Sequence, residues 1–142
     1  MASGPVVKRV MESYPGKIRR VVKNYPYKYR DFSKIAAEAS LAALDQGKYW
    51  EMHDILLTRS PKLDRASLIT YAGELGLDVQ KFTEALDGGK HAKAVEADLA
   101  LAQSIDLYNT PTFYINGKQV VGERPFEFFQ KIIDEQLQQA GK

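Results

Sequence analysis

Few side chains of this sequence could carry out chemistry, because it contains no cysteine and only two histidines. Without cysteine there is no thiolate to act as a nucleophile, exchange disulfides or bind a metal. His53 and His91 are too few and too far apart in sequence to indicate a zinc site, which normally needs three or four strong ligands. We therefore expect no metal and no cofactor. For His53 we expect packing or a surface hydrogen bond.

Carboxylates and serines are more numerous, but their spacing indicates no catalytic group. No serine stands in a nucleophile-elbow pattern, so the sequence gives no support to Ser-His-Asp catalysis. General acid–base catalysis needs a defined pair of groups, and the pattern defines none. We expect the acidic side chains to be solvated charges on outer helical faces; examples are Glu38, Glu51, Asp54, Glu96 and Asp98.

Basic and aromatic residues alternate between Lys17 and Arg30. Such a stretch can bind single-stranded nucleic acid through phosphate contacts and base stacking. Its apolar residues, including Ile18 and Val21, are however typical of a sheet strand, so a solvated strand rim is favoured and nucleic-acid binding is the weaker alternative. The net charge of +2 makes neither nucleic acid nor a membrane the default partner, and no apolar run approaches the roughly 18 residues of a membrane span.

The elements that would position a site are mostly helices. Apolar residues at helical spacing, Gly at helix ends and Asp64 and Asp78 as N-caps predict most of them. Pro125 begins the last helix, whose end from Gln138 to Lys142 is expected to fray. The other predicted helices are Pro5 to Tyr14, Ser33 to Gln46, Tyr49 to Thr58, Asp64 to Leu75, Val79 to Leu86, and a longer one after Gly88-Gly89.

Three short runs predict strands. Lys17 to Tyr25 is rich in β-branched and aromatic residues and is ended by Pro26. Thr112 to Ile115 and Gln119 to Val121 are joined across Asn116-Gly117, the strongest short signal for a β-hairpin. The predicted order is therefore helix, strand, several helices, hairpin and helix.

Several segments in this order closely resemble DsbA-like thioredoxin-fold proteins. They are Tyr-Pro-Gly-Lys-Ile-Arg at 14–19, Ala-Ala-Glu-Ala at 36–39, Gln-Gly-Lys-Tyr-Trp-Glu-Met-His-Asp at 46–54, Leu-Gly-Leu-Asp at 75–78 and Asn-Thr-Pro-Thr-Phe-Tyr-Ile-Asn-Gly at 109–117. The resemblance implies an α/β, thioredoxin-like fold in a single domain. Its thioredoxin parts would be residues 5–31 and 107–140, and an all-helical insertion would occupy about 32–106.

The resemblance also indicates what this chain lacks. Members of the family open with a central strand that delivers a Cys-x-x-Cys motif to the N-terminus of the first helix. Only Met1 to Gly4 precedes Pro5, and we interpret these residues as a leader outside the fold. We expect the N-terminal catalytic strand to be missing, its coding sequence to lie just upstream, and this chain to be redox-inactive as it stands. The family mostly works outside the cytoplasm, but this sequence carries no localisation signal of its own.

The same resemblance places a substrate-binding position at Asn109, Thr110 and Pro111. It implies a cis proline at Pro111 whose neighbouring backbone binds extended or unfolded polypeptide. The chain would then derive from a thiol-disulfide oxidoreductase, or it would be a non-catalytic module that holds a peptide or protein in the groove beside Pro111. A structural alternative is that Pro111 only shapes the start of the hairpin.

A missing central strand has a further consequence for assembly. That strand would lie between the predicted strand near Ile18 to Tyr25 and the one near Thr112 to Ile115. Its loss would leave backbone groups unpaired, and such edges tend to acquire partners. We therefore expect a homo-oligomer through the unpaired sheet region, with internal rearrangement or a partner strand as alternatives.

Overall fold

The structure is a computed structural model that describes residues 3–141. Its elements are seven helices and two strands in these residues. They are α1 (Ser3–Ser13), α2 (Ser33–Leu44), α3 (Tyr49–Arg59), α4 (Arg65–Glu74), α5 (Val79–Asp87), α6 (Ala92–Ser104), β1 (Thr112–Ile115), β2 (Lys118–Val121) and α7 (Phe126–Ala140). The chain divides into two compact units, one of residues 1–22 and 106–142 and one of residues 23–105.

The unit of residues 23–105 is helical and contains α2 to α6. Its helices enclose an apolar cluster in which Met52, Leu68 and Phe82 are almost completely buried. Small residues of α2, among them Ala39 and Ala43, let neighbouring helices approach this cluster closely. Hydrophobic burial of this kind is the main force that stabilises the unit.

The other unit, formed by residues 1–22 and 106–142, combines a hairpin with two helices. β1 and β2 pair antiparallel with Thr112 opposite Val121 and Ile115 opposite Lys118. α1 packs against α7, and Val10, Val120 and Phe129 contribute to the buried cluster of this unit. Phe113 extends the cluster from β1, with its ring edge-to-face on Phe129 at a centroid distance of 4.9 Å.

The helix-end signals of the sequence are confirmed. The Asp64 carboxylate accepts a hydrogen bond from the backbone N–H of Ser67 at 3.1 Å, and Asp78 accepts one from Lys81 N–H at the same distance. These bonds satisfy N–H groups that have no partner within their own helices. Gly47 has φ of 73°, as a left-handed position after a helix requires.

The hairpin prediction is also confirmed. Asn116 and Gly117 both have positive φ, at 47° and 85°, which is the geometry of a type I′ turn. β2 begins one residue earlier than predicted, at Lys118.

The strand predicted from Lys17 to Tyr25 is wrong. Residues 18–27 carry no strand or helix assignment, and β1 and β2 form the only sheet in the described part of the chain. The side chains nevertheless alternate as in a strand, with Ile18 and Val22 partly buried and Arg19 and Val21 exposed. A strand is assigned only where its backbone is hydrogen-bonded to a neighbouring strand. This segment has the residue types and the alternating exposure of a strand but lacks that hydrogen bonding.

Two terminal predictions also need correction. Ser3 and Gly4, which we placed outside the fold, form the first turn of α1, while Met1 and Ala2 lie outside the described residues. α7 continues to Ala140, so Gln138 to Ala140 are helical and not frayed. Lys142, the last residue of the predicted frayed end, also lies outside the described residues.

Candidate functional site

The predicted substrate-binding residues Asn109, Thr110 and Pro111 stand directly before β1. The peptide bond between Thr110 and Pro111 is cis. Asn109 is exposed, whereas Thr110 and Pro111 are half-buried. The three residues therefore form the approach to one end of the hairpin.

Two carbonyl groups at this position are already occupied. The Thr112 hydroxyl donates a hydrogen bond to the Asn109 carbonyl oxygen at 2.6 Å. The Pro111 carbonyl oxygen accepts a hydrogen bond from the backbone N–H of Gly122 at 2.8 Å. Both acceptors are thus directed toward groups of the chain itself.

The register of the hairpin identifies which backbone groups remain available. In an antiparallel ladder, successive residues point their N–H and C=O groups to opposite sides. Because Pro111 points toward Gly122, Phe113 and Ile115 also point toward β2, and Thr112 and Tyr114 point away. Within residues 3–141, the backbone N–H and C=O groups of Thr112 and Tyr114 form no hydrogen bond with a backbone group beyond the hairpin. We call the Thr112 and Tyr114 side of β1 the free edge.

The sequence reasoning missed the free edge. It placed the site by resemblance at residues 109–111 and did not identify the backbone groups that point away from β2, which belong to Thr112 and Tyr114. The Asn-Gly turn contained the necessary signal, because a two-residue loop fixes the pairing and hence the direction of every backbone group in β1.

An exposed aromatic side chain accompanies the free edge. Tyr114 belongs to β1 and is 46% exposed. The Tyr114 hydroxyl accepts a hydrogen bond from the Gln119 side-chain amide at 2.9 Å, which fixes its ring over the hairpin. A peptide lying along the free edge would cover part of this apolar surface.

α1 and α7 support the hairpin through a buried tyrosine. The Tyr14 hydroxyl donates a hydrogen bond to the Asp134 carboxylate at 2.6 Å. Burial, the hydrogen bond to Asp134 and the negative charge of that carboxylate together raise the pKa of Tyr14 to about 12. The hydroxyl therefore stays protonated at neutral pH and acts as a structural tie.

The other chemically active candidates take part in separate surface contacts. His53 lies beside its neighbour Asp54, with its Nδ1 3.3 Å from a carboxylate oxygen. His91 lies 2.8 Å from Asp45, which also binds the Lys90 ammonium group at 2.7 Å. Between Ser3 and Gly141 no group of three metal-binding side chains is assembled.

Asp45 is the most strongly engaged of these acids. Burial by itself would raise the pKa of its carboxyl group, but hydrogen bonds from Lys90 and His91 outweigh that effect and lower it. Asp45 and Lys90 help to line a cleft of about 470 Å³ in the helical unit, together with Lys81 and Glu84. Acidic and basic groups alternate around this cleft, so it favours neither an anion nor a cation.

The acids predicted to be solvated charges on outer helical faces are only partly so, because Glu51, Asp54 and Glu96 are exposed whereas Glu38 and Asp98 are partly buried. Glu51 pairs with Lys48, and Glu96 with Lys34. Asp98 is more buried and accepts hydrogen bonds from the Asn24 backbone and side chain. Each of these three acids thus has a partner within the helical unit.

The tyrosines of the basic-aromatic stretch stack on one another. Tyr25 packs edge-to-face on Tyr27, and Tyr27 stacks on Tyr29 with ring centroids 5.1 Å apart. Arg30 lies over the Tyr27 ring at 5.7 Å. Because these ring faces contact each other, they offer less surface to nucleic-acid bases than separated rings would.

Comparison with known proteins agrees with the fold. A family model described as Thioredoxin matches residues 3–135. A thioredoxin-like oxidoreductase from Silicibacter pomeroyi DSS-3 has a TM-score of 0.83 and 27% identity, over 94% of this chain and 76% of that chain. BdbD from Bacillus subtilis has a TM-score of 0.86 over 96% of this chain and 78% of that chain, and at 20% identity it supports the fold alone.

Two similar curated sequences are larger proteins. The Na(+)/H(+) antiporter NhaA of Herminiimonas arsenicoxydans is 42% identical over 105 residues, covering 74% of this chain and 17% of that protein. Na(+)/H(+) antiporter NhaA 1 of Salinispora arenicola is 36% identical over 124 residues, which cover 87% of this chain and 19% of that protein. The chain thus spans less than a fifth of the length of these relatives. None of its described helices is long and apolar enough to cross a membrane.

The helices, the hairpin and the match to the family model agree with the resemblance that the sequence indicated. The chain belongs to the thioredoxin family, as a DsbA-like thioredoxin-fold protein whose 142 residues contain no cysteine.

Proposed function

We propose that this chain binds extended polypeptide along the free edge of β1, next to Asn109, Thr110 and Pro111, without performing redox chemistry itself. The observation that carries this proposal is the hairpin register, which turns the backbone groups of Thr112 and Tyr114 away from β2. An added strand would pair with these groups, as in other cases of β-strand addition.

The absence of cysteine supports the second part of the proposal. Disulfide exchange requires a thiolate that attacks a disulfide sulfur, and the chain supplies no thiol. The DsbA-like family places a peptide site and a redox centre side by side. We propose that the peptide site is retained here, and that any cysteines acting with it come from outside these 142 residues.

Each antiporter relative is matched over less than a fifth of its length, so transport is not proposed for this chain. Nucleic-acid binding through residues 17–30 remains a weaker proposal, since the tyrosine rings are engaged with one another.

Calorimetry with a soluble eight-residue peptide that alternates Thr and Val tests peptide binding. Two modified peptides carry N-methyl groups on alternate amides, one set on the odd and one on the even positions. Only one set can face β1, so only one modified peptide should lose affinity. Each lost hydrogen bond is expected to weaken binding about fivefold. Pro111→Ala is expected to weaken binding of the unmodified peptide as well.

The control is Lys131→Gln, an exposed position on α7, which should leave affinity unchanged. The proposal fails if no peptide binds at millimolar concentration, or if both methylated peptides bind as well as the parent. A disulfide-reduction assay with the unmodified chain should show no rate above background. A measurable rate would contradict the proposal that the chain performs no redox chemistry itself.

We also propose that, without a peptide, the free edge pairs with that of a second copy. Thr112 to Ile115 are uncharged, so an antiparallel pairing of two β1 strands meets no like-charge repulsion. Such an isologous contact would join two hairpins into one four-stranded sheet.

A further inference from the structure

The cleft of the helical unit lies between the end of α2 and α5, and we call it the charged cleft. Its volume of about 470 Å³ falls within the range of about 300–1,000 Å³ that small-molecule sites occupy. Ala42 of α2 and Ala85 of α5 line it with methyl side chains. Small residues at these two positions leave the space open, and a larger side chain at either would occupy part of it.

Hydrogen bonds hold the surroundings of the charged cleft in place. The Gln46 side-chain amide donates to the Asp78 carbonyl oxygen at 3.2 Å, and its oxygen accepts the Asp78 backbone N–H at 2.8 Å. These bonds join the segment that follows α2 to the residue before α5. Asp45 is held on the same segment, since its Oδ2 atom lies 2.7 Å from Lys90 Nζ and 2.8 Å from His91 Nε2. The cleft is thus formed by the chain without a ligand.

Two carboxylates of the charged cleft have oxygen atoms that a ligand can reach. Both contacts of Asp45 converge on Oδ2, and within residues 3–141 its Oδ1 atom receives no hydrogen bond. Glu84 accepts a hydrogen bond from the Gln80 side-chain amide at 3.0 Å, but it forms no ion pair with any described residue. Because a carboxylate accepts several hydrogen bonds, both groups can take a further donor such as an ammonium group.

A weakly held cation lies next to Glu84. Lys81 and Glu84 are three residues apart in α5, so their side chains are neighbours on one face of this helix. The Lys81 ammonium group lies 3.8 Å from Asp78 and its side chain is 77% exposed. An exposed pair at this distance contributes little to stability, so Lys81 can turn to a ligand carboxylate at little cost. The charged cleft therefore offers a cation and a carboxylate side by side.

We propose that the charged cleft binds a small zwitterion of the amino-acid or short-peptide type. Its carboxylate pairs with Lys81, and its ammonium group is held by the carboxylates of Glu84 and Asp45. An anion alone would be repelled by these two carboxylates, and a cation alone by Lys81 and Lys90. The inference goes beyond the proposed peptide binding, because it concerns the other unit of the chain and involves no pairing with a strand.

Titration of the full chain with the dipeptide alanyl-alanine, followed by NMR of the backbone amides, tests this site. Two matched ligands each lack one charge: the N-acetylated dipeptide has no ammonium group, and the dipeptide amide has no carboxylate. Each is expected to bind about two- to fivefold more weakly at low salt, and the differences should shrink at about 0.5 M salt. The amide signals of Asp45 and Ala85 should move, whereas those of Thr112 and Tyr114 should not.

Two charge variants should show a crossed pattern. Glu84→Gln should remove most of the preference for the dipeptide over its acetylated form and keep the preference over the amide. Lys81→Gln should do the reverse. Lys93→Gln is the matched control, because it removes an exposed charge of the same unit on α6, and it should keep both preferences.

A steric variant tests the position of the ligand. Ala85→Leu places a larger side chain in the charged cleft and should weaken binding of all three ligands. Ala66→Leu adds the same bulk at an exposed position of α4 and should bind as the unmodified chain does. Circular dichroism checks that each variant folds, and the two charge variants test the inference by themselves if Ala85→Leu does not fold.

Equal affinities of the three ligands would overturn the inference, as would absence of binding at millimolar concentration. It is also overturned if Lys93→Gln alters the preferences as much as Lys81→Gln does. Movement of the Thr112 and Tyr114 signals without those of Asp45 and Ala85 would place the dipeptide at the free edge and reject the charged cleft. Each of these outcomes leaves the proposed binding of longer peptides at β1 to its own test.

Discussion

The carbonyl oxygen of Pro111 accepts a hydrogen bond from the backbone N–H of Gly122 at 2.8 Å. This bond joins the cis-proline position to the residue that follows β2, and it aligns the hairpin with the approach to β1. The direction of every other backbone group in β1 follows from it. Gly122 itself adopts a positive φ of 80°.

Replacement of Gly122 should therefore destabilise the chain. An added Cβ meets no atom within 4 Å, so the cost of Gly122→Ala is conformational, about 1 kcal/mol for a left-handed L-residue. Thermal melts should show a Tm lower by about 4 °C. Gly122→Asn should recover part of the loss, because asparagine tolerates this region.

Gly73→Ala is the matched control within α4. Its Cβ would make an ordinary 3.8 Å contact with Val79, and alanine is favoured in a helix by about 0.5–1 kcal/mol. Its Tm should rise. Shifts of the same sign in both alanine variants would contradict this account.

Tyr14→Phe should make stability less dependent on pH in the alkaline range. The raised pKa of Tyr14 means that, between about pH 10 and 12, the unfolded chain ionises this group while the folded chain does not. The contribution of Tyr14 is thus complete below pH 10 and is lost as pH rises through 12. At pH 8 the variant should be less stable by about 1 kcal/mol because it lacks the bond to Asp134.

Urea unfolding at pH 8, 10 and 11.5 measures this effect. The difference between the unmodified chain and Tyr14→Phe should shrink as pH rises. Tyr108→Phe, at an exposed position, is the control and should follow the unmodified chain. A difference that stays constant across the three pH values would contradict the assignment.

Asp45→Asn should lower the stability of the folded chain at neutral pH but not in strong acid. Because contacts with Lys90 and His91 lower the pKa of Asp45, its contribution is present above about pH 4. That contribution is lost as pH falls through the lowered folded-state pKa. Thermal melts between pH 7 and pH 2.5 should show the two proteins converging in acid.

Asp31→Asn is the control for the acid series, since the exposed Asp31 forms no ion pair within residues 3–141. It should change Tm little at any pH. If Asp45→Asn and Asp31→Asn behave alike, Asp45 is not the stabilising group.

Association through the free edge should be concentration-dependent and sensitive to charge. Light scattering after gel filtration is expected to show dimers of the unmodified chain as concentration rises. Tyr114→Lys places a cation on the pairing strand, a common way to block edge association, and should yield monomers.

Tyr108→Lys adds the same charge outside β1 and should still dimerise. A stable monomer of the unmodified chain at high concentration would contradict edge pairing. Equal association of both lysine variants would place the contact elsewhere.

Local signals account for most of the fold that could be predicted. Asp64 and Asp78 cap helices through bonds to residues only three positions away, and Asn116-Gly117 sets a turn from two residues. Such interactions are complete within a few residues, so sequence alone determines them. The family resemblance then indicated how these elements combine.

The strand predicted from Lys17 to Tyr25 failed because its existence depends on a distant neighbour. Its β-branched residues and alternating exposure are those of a strand, but no described residue supplies the ladder. β-propensity describes fit to a sheet, and it cannot create the partner.

The candidate site shows the same limit. The sequence located residues 109–111, yet the available groups belong to Thr112 and Tyr114, because the bonds of Pro111 and Asn109 are made within the chain.

The division of the chain into units has a consequence for the order of folding. The unit that holds the candidate site is built from both ends of the chain, and Tyr14 and Asp134, which tie it together, are 120 residues apart. Closing so long a loop costs entropy before any contact compensates for it, whereas the helices between residues 23 and 105 form from nearer contacts. The free edge of β1 should therefore form late during folding, after the helical unit has shortened the distance that the two ends must close.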